Sequence, residues 1–82
     1  MATVTTPPPL EQLKSTIRRA GLRSTAPRIA VFRRLYAAAT PISHGELVEV
    51  LNEEGMDRTT VYRNLVDLTD AGLVRRTADP AW

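Results

Sequence analysis

Gly55–Arg76, GMDRTTVYRNLVDLTDAGLVRR, is the stretch from which the rest of this chain can be read. Gly55-Met56-Asp57 has the character of a turn ending in a cap, since an aspartate carboxylate accepts hydrogen bonds from the free N–H groups of a helix's first turn. From Arg58 to about Ala71 the apolar residues keep helical spacing. Val61, Leu65 and Leu68 share one stripe with Gly72, while Thr59, Arg63, Val66, Asp67 and Asp70 face away. Gly72 suits a helix stop, and Leu73-Val74-Arg75-Arg76-Thr77 then alternates like a strand. The leading end of the helix carries Thr59, Thr60, Tyr62 and Arg63. Two hydroxyls, a phenol and a guanidinium suit a polar, anionic partner, whereas the acids Asp67 and Asp70 sit at the trailing end.

Working toward the N-terminus, Ser43-x-x-Glu46 is a capping box that opens a third helix, with Ile42, Leu47, Val50 and Leu51 on its buried side. Asn52-Glu53-Glu54-Gly55 is its turn, with Gly55 as the C-cap. A second helix starts after Leu22-Arg23-Ser24-Thr25, takes Pro27 into its first turn and runs to about Ala39 before Thr40-Pro41 stops it. Its apolar arc is Ile29, Phe32, Leu35, Tyr36 and Ala39. A first helix spans about Leu10 to Ala20, with Leu10, Leu13, Ile17 and Ala20 on one face and Gly21 at its end. Met1–Pro9 lacks periodicity and contains three consecutive prolines, so residues 1–9 read as an extended or disordered arm.

The expected fold is mostly α: a winged helix-turn-helix of about four helices with a short, truncated β-wing, in one domain over residues 10–82. Helices three and four form the helix-turn-helix. Ala78-Asp79-Pro80 reads as a turn, and the chain ends at Trp82 before a return strand.

Composition narrows the function. Cysteine is absent, which excludes disulfides and thiolate metal sites, and no apolar run is long enough to span a membrane. A cytoplasmic setting is expected. No Ser/His/Asp or Cys/His set and no glycine-rich phosphate loop is present, so the chain does not read as an enzyme. His44, the single histidine, cannot close a metal site alone and reads as a surface residue at a helix start. The net charge of +2 conceals an uneven distribution. Residues 1–40 hold 7 basic side chains against Glu11 alone, and residues 41–82 hold 4 against 8 acids. A basic front half can supply the phosphate contacts that dominate nucleic-acid affinity.

If the fourth helix enters a major groove leading end first, Arg63 can bond a guanine edge or a phosphate, and Thr59 and Thr60 suit phosphate oxygens. Tyr62 then offers a hydroxyl and a ring face for a thymine methyl. The same surface could instead bind a protein partner.

Gly21-Leu22-Arg23-Ser24-Thr25-Ala26-Pro27-Arg28, with Thr60-Val61-Tyr62-Arg63-Asn64-Leu65 and Ala71-Gly72-Leu73-Val74, resembles the ferric uptake regulator (Fur) family over about residues 10–77. The resemblance implies the N-terminal DNA-binding domain of a metal- or redox-responsive bacterial transcriptional regulator, commonly a repressor. It implies double-stranded DNA as partner, and a homodimer formed through a C-terminal domain that these 82 residues do not include. It places Tyr62 and Arg63 on the recognition helix and Arg23 near an A·T-rich minor groove. Thr25 and Arg28 fall at the start of the second helix, against backbone phosphate. For Arg28, a salt bridge to an acid of helix three or four is the equal alternative. The family's histidine before the third helix is replaced here by Thr40-Pro41, so no cofactor is expected in this chain. Zinc, iron or another divalent metal would belong to the full-length protein. A winged-helix protein-interaction module and the DNA-binding domain of a non-Fur repressor are the rival readings.

Overall fold

Residues 9–38, 40–77 and 81–82 are described by a computed structural model. Four helices follow in order: α1 Leu10–Arg19, α2 Ala26–Ala37, α3 His44–Asn52 and α4 Arg58–Asp70. The expected arm falls on residues 1–8, outside the described residues. Pro9 belongs to the fold, because its carbonyl accepts from the Gln12 and Leu13 N–H groups and starts α1.

Local chemistry accounts for the helix boundaries. Thr25, Ser43 and Asp57 cap α2, α3 and α4 by accepting from the N–H groups of Arg28, Glu46 and Thr60. The Ser43 hydroxyl also donates 3.0 Å to the Glu46 carboxylate, a bond between the two side chains rather than the reciprocal one from the Ser43 backbone N–H that completes a capping box. Between α3 and α4 the chain reverses at Gly55, whose φ of +84° lies in the left-handed region that side chains disfavour. The Met56 N–H then returns 3.1 Å to the Leu51 carbonyl, and the Met56 side chain closes over the core.

α2 is the central helix and packs on α1, α3 and α4. Leu13 and Ile17 of α1 join Ile29, Val31 and Phe32 of α2, Leu47 and Leu51 of α3, and Val61, Leu65 and Leu68 of α4 in one core. Two apolar faces differ from expectation. Leu10 and Tyr36 are about half exposed, while Val31, outside the expected arc, is fully buried. A helix covered on several sides buries more than one stripe, and single-face periodicity cannot anticipate that.

The wing also differs. Among the described residues Leu73–Thr77 forms no strand. Instead, the Leu73 and Val74 N–H groups return to the Leu68 carbonyl and finish α4. The chain does come back: Ile42 and Trp82 exchange both backbone hydrogen bonds at 2.8 and 2.9 Å, beside an antiparallel bridge from Ser43 to Ala81. A strand needs a ladder partner, and among the described residues the pairing is confined to isolated contacts, with the Thr77 N–H also donating 2.8 Å to the Ala81 carbonyl. Trp82 is further held by its indole N–H, 3.1 Å from the Thr69 hydroxyl, and by the Arg76 guanidinium over its ring. The expected turn at Ala78–Pro80 lies outside the described residues.

The Asp57 cap gives α4 a pH dependence. Thr60 donates to the carboxylate from its side chain and its backbone, and Arg63 adds attraction, which together hold the carboxyl below the usual carboxylate range. Because the folded-state pKa is the lower one, the cap's contribution is present above the unfolded-state value of about 4 and is lost as the pH falls through the folded value. Thermal melts followed by circular dichroism are therefore expected to separate the native chain from Asp57→Asn. The two should differ in pH dependence below about pH 4, because asparagine caps without titrating.

Candidate nucleic-acid interface

α4 is presented rather than enclosed. Its inward stripe is Val61, Leu65 and Leu68, with Asn64 buried beside them and donating 2.9 Å to the Thr60 carbonyl. Thr59, Tyr62, Arg63 and Val66 are exposed. Their spacing of i, i+3, i+4 and i+7 aligns them along one ridge. Arg63 makes no salt bridge among the described residues, so its guanidinium is available at the leading half of the helix. Val66 extends the ridge with an apolar surface, which sequence reasoning placed outward but gave no role.

The other expected site residues lie on two segments. Thr60 is half-buried and engaged with Asp57, so its donors serve the cap first. Arg23 is exposed in the connector between α1 and α2 and forms no ion pair among the described residues. Thr25 is exposed, and its Oγ1 accepts from the Arg28 N–H at 3.4 Å. That leaves the hydroxyl hydrogen free to donate elsewhere.

Arg28 makes the salt bridge that was the alternative to a phosphate contact. Its Nη2 meets Asp67 Oδ2 of α4 at 2.5 Å, and Nη1 donates 2.9 Å to the Arg23 carbonyl. The Arg28 side chain is only 14% exposed, and its Nε is buried with no hydrogen-bond partner among the described residues. Asp67, expected on the outward face, is instead turned toward α2. The pair spans 39 residues of sequence, beyond the reach of any helical periodicity.

His44 stands at the start of α3, as expected, and adds two contacts to α4. It is half-buried at the first turn of α3, with its ring 5.3 Å from the Tyr62 ring and its Nε2 3.3 Å from the Arg58 carbonyl. Nothing in the local sequence marks this contact, because it depends on the crossing of α3 and α4. A cavity of about 790 Å³ beside α1 and α2 is lined by Lys14, Arg33, Arg34 and Glu54 among others and includes no residue of α4. It is separate from the ridge. Among the described residues no three His, Asp or Glu side chains gather as a metal site, and no helix is long and apolar enough to cross a membrane.

α3, the Gly55 turn and the presented α4 have the geometry of a helix-turn-helix, whose second helix characteristically enters a DNA groove. Comparison with known proteins found no matching curated protein and no matching solved structure. A helix-turn-helix domain family model does match, over residues 28–77, more than half of the chain and all of α3 and α4. The chain therefore belongs to the helix-turn-helix domain family.

Proposed function

We propose that this chain is the sequence-specific DNA-binding domain of a Fur-type bacterial transcriptional regulator responsive to a metal or redox signal. The exposed ridge of Thr59, Tyr62, Arg63 and Val66 on α4 carries the proposal. In the major groove, Arg63 donates to a guanine edge or a phosphate, Tyr62 presents its hydroxyl, and Val66 offers an apolar contact for a thymine methyl. Thr59 donates to phosphate. Arg23 reaches the adjacent backbone or a narrow A·T-rich minor groove, where negative potential favours a cation. Thr25 contributes its free hydroxyl hydrogen to phosphate.

Arg28 has a different part in this reading. With both terminal nitrogens committed to Asp67 and Arg23, it is a strut that fixes the Arg23 connector relative to α4. The Fur assignment draws on the motifs around Gly21–Arg28 and Thr60–Leu65, which lie on the two segments this strut joins. The metal- or redox-sensing function, and a homodimer, belong in this proposal to the full-length regulator.

Fluorescence anisotropy on a duplex selected by this chain from a random pool tests the interface. Arg63→Ala is expected to weaken specific binding by about 1–3 kcal/mol. Arg23→Ala is expected to lower the dependence of log affinity on log salt by about one charge. Failure to select any duplex, or affinity indifferent to salt, would leave the ridge to a protein partner instead.

Arg28→Gln separates strut from phosphate contact. As a strut, Arg28 lowers the melting temperature when replaced and leaves the salt slope unchanged. A slope reduced by about one charge would place it on the DNA.

A further inference from the structure

We infer that His44 is a positioning residue for Tyr62, setting how the recognition helix presents its phenol to DNA. This rests on the proposed reading of α4 and adds to it a residue on the preceding helix. His44 touches α4 twice, one turn apart: at the Arg58 carbonyl through Nε2 at 3.3 Å, and at the Tyr62 ring, centroid to centroid 5.3 Å and tilted by 60°. A carbonyl only accepts, so the first contact puts the proton on Nε2. That hydrogen bond fixes the plane of the imidazole, and the fixed imidazole then covers one side of the phenol.

Tyr62 is 49% exposed, so one part of its ring is held while the rest remains open. Tilted aromatic pairs at this separation are attractive beyond simple burial. An unsupported tyrosine on a helix surface would exchange among staggered rotamers and lose that freedom on binding. Restricting it in the free protein lowers this cost only where Tyr62 meets a base edge. His44 thereby favours the cognate site and leaves non-specific phosphate binding unchanged.

The test compares the 82-residue chain carrying His44→Ala, His44→Phe, Tyr62→Ala or the first and third together, on a selected duplex and on a scrambled one. His44→Ala is expected to lose about three- to tenfold in affinity for the selected duplex and to keep its affinity for the scrambled one. His44→Phe, which keeps a ring against Tyr62 but loses the bond to the Arg58 carbonyl, should recover only part of the loss. In the Tyr62→Ala background, His44→Ala should change nothing further.

Equal losses on both duplexes, or losses additive with Tyr62→Ala, would overturn the positioning role while leaving the recognition helix in place. A Tyr62→Ala chain that binds like the native one removes that reading and the His44 inference with it. Ring-proton NMR of Tyr62 gives a check independent of DNA: His44→Ala must shift those resonances in a chain whose thermal melt remains cooperative. Unshifted resonances would refute the contact.

Discussion

Arg28 joins three parts of the chain with polar bonds that add to the packing of α2 on α4. Its backbone N–H engages the Thr25 cap of α2, one guanidinium nitrogen holds the Arg23 carbonyl of the connector, and another holds Asp67 on α4. Charge-assisted hydrogen bonds of this kind contribute on the order of 1.5–3 kcal/mol, and less where solvent screens them, as at the one-third-exposed Asp67. Their larger effect is geometric. Planar guanidinium donors fix direction as well as distance, so the bridge sets the roll of α4 about its own axis. The core residues Val61, Leu65 and Leu68 are fully buried and fix the same helix from its inner side. The bridge adds a directed restraint on the flank of α4, beside the exposed ridge.

Much of this architecture was legible because its signals are local. Ser43 with Glu46, Asp57, Thr25, and glycines 21, 55 and 72 each act within five residues of themselves, and the helix boundaries followed them closely. The ridge was legible too, since Thr59, Tyr62 and Arg63 follow from periodicity once Val61 and Leu65 are taken as inward. What escaped depends on chain segments meeting. Asp67 falls on the outward arc of an isolated helical wheel, and only the approach of α2 gives it a partner. Val31 is buried because α2 has neighbours on several sides. The alternating residues Leu73–Thr77 have strand character, but among the described residues they form no strand, and Ile42 and Trp82 exchange the backbone pair of hydrogen bonds instead.

The two ends of α4 are secured by unlike means. At its start, Asp57 takes both Thr60 donors, which keeps its carboxylate charged and at the cap, with Arg63 adding attraction. At its end, Thr69 bonds the Trp82 indole, and Trp82 in turn pairs with the segment leading into α3. The helix is therefore tied to α2 along its flank, to α3 at its first turn and to the returning chain at its last.

The open side itself has little part in that restraint. Thr59, Arg63 and Val66 make no contribution to the core, so the exposed ridge is largely uncoupled from the residues that fold the domain. On the proposed reading, exchanging these three side chains changes what the ridge prefers while the scaffold stays constant. Tyr62 is the exception, because its ring leans on His44. A lineage that altered this tyrosine would find histidine at position 44 mismatched to the new side chain, so the two positions would drift as a pair while their neighbours on the ridge changed independently.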